Sequence, residues 1–241
     1  MGAGYRGQSD RSNGLIYCLR IGMKLSEVFS QLAYGELSQL GLIDSDTGLI
    51  AAGKKPQVVS NITLGLTALY KRFNLKEGSV VVPLVTNQVL YTLTPTDILK
   101  VEKVLTDAEY ELGLNDGSSV YSCSTPSAGV LKLPSCMVTD GADVPEDLIT
   151  DNVTVVYRAN HPVLALASAD TVDLELPYSH LEALVLYVAS RMHNPIGMTN
   201  EFHAGNSYAA KYEKACLELE VKDLQIDTMS QNTGISRGGW V

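Results

Sequence analysis

The strongest pattern in the chain is helical: Val58, Ile62, Leu66, Leu69 and Phe73 recur at steps of four, four, three and four. Steps of that size return to one face of a helix, so a helix is predicted that runs to Asn74. Upstream, Val28, Phe29, Leu32 and Ala33 share a face of a shorter helix, with Ser26 placed to cap it and Gly35 to end it. Between the two, Gly41, Gly48 and Gly53, with Asp44 and Asp46, mark a loop leading into Lys54-Lys55-Pro56.

From Ser79 the period changes to short β-rich runs: Ser79 to Val82, Val89 to Leu93, Ile98 to Leu105, Val120 to Cys123, Gly129 to Leu133, Val153 to Arg158 and Thr171 to Glu175. Turn clusters separate them, notably Asn115-Asp116-Gly117. Such spacing predicts a small antiparallel sandwich or barrel over about 77–176. Pro177 resets the pattern, and Leu181, Leu184, Val185, Val188 and Met192 form the next helical stripe. Asn194-Pro195-Ile196-Gly197 should interrupt it. A last helix then carries Tyr208, Tyr212, Ala215 and Leu219 on one face, with Lys211, Lys214, Glu218 and Lys222 on the others.

The expectation is an α+β chain. Residues 1–22, rich in Gly, Ser and Arg, read as a flexible arm, with Met23 a candidate native start. Residues 23–76 and 177–226 supply helices that pack together as a core, and 77–176 form a β-rich insert that projects from it. Residues 227–241 form a polar tail.

At 241 residues and 45% apolar, the chain can bury a substantial core. Its longest apolar runs, such as Leu181 to Val188, fall well short of the roughly 20 residues that span a bilayer, so no membrane span is expected. The start lacks the order of a secretion signal, and position 6 is Arg6 where an acylation signal after Gly2 would carry Ser or Thr. The net charge of −9, from 27 acidic and 18 basic residues, argues against a surface that grips nucleic acid by its phosphates.

Chemistry is sparse. Cys18, Cys123, Cys136 and Cys216 have no metal-binding spacing and read as free thiols of a reducing cytosol. No phosphate loop, His-x-x-x-His pair or nucleophile elbow is present. Asp44-Ser45-Asp46-Thr47-Gly48 resembles half of a calcium loop, but position 55, where the closing Glu would stand, is Lys55. His193 and His203 flank an interhelical loop and could meet Glu201 as a metal or acid–base site, although solvated histidines are the ordinary outcome there. Tyr91, Tyr110, Tyr121 and Tyr157 could stack sugars or bases, or simply pack on a half-buried sheet. The expectation is a protein without catalytic activity, cofactor or metal.

The tail carries the sharper signal. It is polar up to Ile235 and ends Arg237-Gly238-Gly239-Trp240-Val241, Trp240 being the only tryptophan in the chain. Trp and Arg are enriched at binding hot spots, so Ile235, Arg237, Gly238, Gly239, Trp240 and Val241 are read as a docking peptide that orders on a partner.

The helix Asn61-Ile62-Thr63-Leu64-Gly65-Leu66-Thr67-Ala68-Leu69-Tyr70-Lys71-Arg72-Phe73, followed by Asn74-Leu75-Lys76 and a β-rich segment, resembles the head-to-tail connector or adaptor proteins of short-tailed bacteriophages. Leu176-Pro177, the helix ending near Ala189-Ser190-Arg191-Met192, Gly197 and the helix around Tyr212-Glu213-Lys214-Ala215-Cys216 resemble the C-terminal helices of tubular tail and adaptor proteins. The resemblance covers residues 23–241 in the order of elements. It implies a virion component, made in the cytoplasm of a bacterial host, that closes by heterologous contacts into a ring of about twelve copies under the portal. It further implies a channel that passes DNA without sequence-specific binding, a C-terminal extension that docks to the portal protein, and a tail nozzle or tube protein below. An acidic lumen would let DNA slide. The large β-rich insert departs from the smallest members of the group, which leaves its partner open.

Two other readings stand beside this one. The β-rich unit could be a tail-associated carbohydrate- or receptor-binding module, which predicts a cleft with exposed aromatics. An enzyme with a dispersed active site would instead show a deep pocket lined by groups of perturbed ionisation.

Overall fold

A computed structural model describes residues 23–117, 119–127, 129–139, 144–145, 148–193 and 199–222, with side chains of the last segment described from Gly205 onward. It is a mixed structure of helices and antiparallel strands, α+β as the sequence predicts. In chain order the elements are β1 (Met23–Lys24), α1 (Leu25–Tyr34), α2 (Lys55–Arg72), β2 (Glu77–Pro83), β3 (Leu90–Thr92), β4 (Ile98–Thr106), β5 (Ser124–Ser127), β6 (Val130–Lys132), β7 (Asn152–Ala159), β8 (Asp173–Leu174), α3 (Leu181–His193) and α4 (Thr199–Val221).

The helical stripes read from the sequence are buried, except that Leu181, Tyr208 and Ala215 are only partly so. Val58, Ile62, Leu66, Leu69 and Phe73 all lie in the interior, although α2 ends at Arg72, where Phe73 turns to extended backbone as its C-cap. Pro56 sits in the first turn of α2, where its missing N–H costs nothing. Helix α1 begins one residue before Ser26, so Ser26 is not its cap; the Glu27 carboxylate instead accepts the Lys24 backbone N–H. Gly35 ends α1 as expected, because a side chain there would press on the Gln31 carbonyl at 2.8 Å.

These helices share one hydrophobic cluster. Met23, Leu25 and Leu32 from the first segment, Ile62 and Leu69 from α2, Leu184 and Val188 from α3 and Cys216 and Leu219 from α4 all belong to it. Burying a leucine- or valine-sized side chain contributes roughly 1.5–3 kcal/mol, so this cluster dominates the stability of the helical body. Gly65 lets α2 and α3 come close: a Cβ there would stand 2.7 Å from Leu184 Cδ1 and 3.0 Å from Tyr187 Cδ1.

The strands between α2 and α3 enclose a second cluster. They form two three-stranded antiparallel sheets, ordered β2-β7-β4 and β3-β6-β5. Val82, Val104, Val153 and Val155 from the first meet Tyr91 and Leu131 from the second. Strand β7 alternates strictly, with Val153, Val155, Tyr157 and Ala159 buried. Pro126 lies in β5 and Pro83 closes β2, both edge strands, where a missing ladder donor is tolerated.

Three details differ from the sequence reading. Val120 to Cys123 is not a strand: Ser119 turns the chain, accepting the Tyr121 N–H on its hydroxyl and the Ser122 N–H on its carbonyl, and Val120 is exposed. The strand begins after it, at Ser124. The Thr171–Glu175 run shortens to two residues that pair with β1, Met23 to Leu174 and Lys24 to Asp173, and Leu174 is buried in the helical cluster. That segment therefore packs with the helices rather than with the β sheets. Finally, β4 carries two register shifts against β7 that leave Leu99 and Glu102 without opposite partners.

Candidate functional site

The segment proposed to dock, Ile235, Arg237, Gly238, Gly239, Trp240 and Val241, lies outside the described residues. What is described is the base from which it departs. Near the end of α4, Arg72 of α2 reaches two turns of helix at once: its Nη1 donates to Glu213 Oε2 at 2.6 Å and its Nε to Glu220 Oε1 at 2.7 Å. These two bonds push the guanidinium further up from an already high value, and the Arg72 contact pulls the Glu220 carboxyl down. The clamp fixes the C-terminal half of α4 to α2. Beside it, a cleft of about 200 Å³ opens between Glu182 and Ala183 of α3 and Ala215, Glu218 and Leu219 of α4.

The half calcium loop is committed to its own backbone. Asp44 Oδ1 accepts the N–H groups of Asp46 and Thr47 at 2.9 and 3.3 Å, and Ile43 bridges Ile50 across the turn. Gly48 takes φ of +67°, which suits glycine. Among the described residues no group of three His, Cys, Asp or Glu is arranged to hold a metal ion. No helix among them is long and apolar enough to cross a membrane.

The three histidines whose side chains are described are buried rather than solvated. His193 places Nε2 3.0 Å from the Glu36 carbonyl and stacks obliquely on Tyr208. His203 and Glu201 fall where side chains are not described. His180 is fully buried edge-on to Phe73, with Nδ1 3.0 Å from Ser179 Oγ and Nε2 lacking a protein partner. Desolvation pulls its pKa down to about 4. His161 is buried, its ring nearly perpendicular to that of Tyr70.

The four tyrosines of the β-rich unit do not form one exposed face. Tyr91 is buried, and its hydroxyl accepts the Val85 N–H at 2.9 Å. Tyr157 is buried with its ring over Gly78, where an added Cβ would stand 2.5 Å from the ring. Tyr110 is half exposed and Tyr121 half buried. Cys123, Cys136 and Cys216 are free thiols, and burial pushes Cys123 up to about 12, which leaves it unreactive at neutral pH.

Sequence reasoning missed the charged face of the first sheet. Between the buried Val101 and Val104 stand two polar residues instead of one, and the bulge absorbs the extra residue. Glu102 then lies between Lys100 at 2.9 Å and Arg158 of β7 at 3.2 Å, while Lys103 approaches Glu111 at 3.8 Å. The doubled polar pair Glu102-Lys103 inside an alternating strand was the signal available. Along this edge of β4 a polar cleft of about 520 Å³ opens, lined by Lys100, Glu102, Glu111, Asn115, Asp116 and Thr125 among others.

Large apolar side chains stand exposed on both parts: Tyr34, Leu217 and Val221 on the helical body, Val81, Val120 and Ile149 on the β-rich unit, and Val163 and Leu166 on the loop that connects them. Scanned against protein-family models and against curated protein sequences, the chain matches none.

Proposed function

We propose that this chain is a structural assembly protein, the head-to-tail adaptor of a tailed bacteriophage, which forms a ring between portal and tail. The observation that carries the reading is the arrangement of its two clusters. Helices drawn from before and after the strands close on one apolar interior, and the strands between them keep an interior of their own. A helical core is what the resemblance to such adaptors implies, and the large β-rich insert is where this chain departs from the smallest of them. Apolar side chains exposed on both parts suit heterologous contacts, in which each copy offers two different surfaces to its neighbours. In this reading the acidic chain lines a channel through which DNA passes, and the tail ending in Trp240 leaves the Arg72-clamped end of α4 to grip the portal.

The test mixes the full chain with its portal protein, beside a version ending at Asp227, and images both by electron microscopy. Capped rings from the full chain and none from the truncation support the adaptor and the docking tail together. Association by neither chain sinks the reading.

One observation favours a second reading: the cleft beside β4, although lined by none of the exposed aromatics such a module predicts, has the side-chain amide, hydroxyl and carboxylate groups that hydrogen-bond sugars. A tail-associated carbohydrate-binding module predicts that the full chain retains glycans on an array and that Asn115→Ala with Thr125→Ala abolishes retention. An array without hits removes it.

A further inference from the structure

Two stretches of chain cross between the helical body and the β-rich unit, one after α2 and one after β7, and they are tied together. The Ala159 N–H donates to the Lys76 carbonyl at 2.9 Å, and the Asn160 N–H to the Asp97 carbonyl at 2.7 Å. From Asn160 to Leu176 the returning chain is a strap across the helical body. It is held by Leu25 N–H to Val172 carbonyl and Ser26 N–H to Asp170 carbonyl, each 2.9 Å, by Lys55 to Asp170 at 2.6 Å, and by the β1–β8 pair.

His161 stands where this strap leaves the β-rich unit, and both its ring nitrogens are used. Nδ1 lies 2.6 Å from the Pro162 carbonyl, an acceptor only, so Nδ1 carries the proton. Nε2 then has a free lone pair and accepts the Glu175 backbone N–H at 3.2 Å. The ring thus staples residue 161 to residue 175 and is compatible only with the neutral form. The other two buried histidines differ in this respect. His193 faces a carbonyl, which a charged ring can still serve, and His180 meets a hydroxyl that can turn to accept.

The charges around His161 do not override this geometry. Glu175 favours the protonated ring and Lys76 disfavours it, and the two are paired with each other at 2.8 Å. The Tyr70 ring of α2 stands nearly perpendicular to the imidazole, centroid 5.6 Å away, and its hydroxyl donates to the Glu175 carbonyl. Burial is the largest influence and holds His161 below the ordinary histidine value.

We propose that His161 is a proton-sensitive latch at the junction of the two parts: protonation turns Nε2 from acceptor to donor, sets it against the Glu175 N–H, and opens the strap locally at Glu175. The latch works in the single chain, whatever that chain assembles with.

The test uses the full chain labelled with 15N. Imidazole spectra between pH 8 and 5 report the His161 tautomer and its titration, and amide exchange, corrected for intrinsic rate, reports protection at Glu175. The expected result is an Nδ1–H tautomer at neutral pH. Protection at Glu175 should fall by about tenfold per pH unit between the ordinary histidine value and that of the folded His161, because opening then takes up one proton. His161→Gln, which cannot take up that proton, should abolish this fall. Persistence of the fall in His161→Gln, an Nε2–H tautomer, or unchanged Glu175 protection in the wild type would each overturn the latch. If His161→Gln does not fold, His180→Phe serves as the second arm: the fall must survive that substitution, and its loss assigns the response to His180 instead.

Discussion

Gly65 of α2 lies directly beneath Tyr187 of α3, close enough that a methyl group would stand 3.0 Å from the ring. Leu184 bounds the same space at 2.7 Å. In a helix interior, glycine is otherwise a poor choice, disfavoured by about 1 kcal/mol against alanine. Its use here is set by the closeness of the two helices. Gly65→Ala should therefore destabilise the protein despite the gain in helix propensity, by about 1–2 kcal/mol net. Urea denaturation followed by far-UV circular dichroism measures it, and a stabilised variant would show that α2 and α3 can separate freely.

The same logic applies across a β pair. Gly78 faces Tyr157, and the ring occupies the place a side chain would take. Gly78→Val would expel the ring and cost about 1–3 kcal/mol. The loss should appear first as exposure of the second cluster, read by amide exchange at Val153 and Val155. The helical body, whose cluster is separate, should keep its protection.

Acid should weaken the fold through His180. Its folded pKa of about 4 lies below the unfolded value of 6.5, so the unfolded chain binds the proton first. The stabilisation is complete above pH 6.5, falls as pH drops through the interval, and is lost near pH 4, at most about 3 kcal/mol in all. His180→Phe, which keeps a ring against Phe73, should make the stability curve shallower between those limits, leaving the contribution of His161 in place. Thermal melts from pH 7.5 to 4 give the comparison, and an unchanged slope would assign the acid response elsewhere.

Arg72 is expected to hold the end of α4 rather than the whole fold. Arg72→Lys keeps the charge but cannot meet Glu213 and Glu220 together. Both carboxylates are largely exposed, so the global stability should change little. Amide exchange in residues 213–222 should rise a few-fold, and more so in the absence of salt. Equal rates in the two proteins would mean that hydrophobic packing alone sets this end of α4.

The helices were legible because their apolar residues keep a single period: Val58 through Phe73 is one stripe in the sequence and one buried face in the structure. Strand β7 was legible for the same reason. The departures lie where local chemistry overrides pattern. Ser119 turns the chain through a β-rich run, and two extra residues in β4 break its alternation. The pairing of β8 with β1 joins residues about 150 positions apart, which no local window contains. The buried histidines were illegible because a histidine's neighbours along the chain do not reveal which backbone groups it will meet. His161 finds its partner fourteen residues later, across the strap.

The pairing of Glu77 with Arg158 places the two ends of the β-rich unit side by side, and the Ala159–Lys76 bond closes the gap beneath them. Seen from the helices, an excursion of some eighty residues begins and ends at nearly one point. A host body interrupted in this way sees little difference between a long insertion and a short turn, since closing a longer loop adds only slowly to the entropic cost. The unit can thus be shortened or replaced while the helices that surround the first cluster keep their contacts with one another.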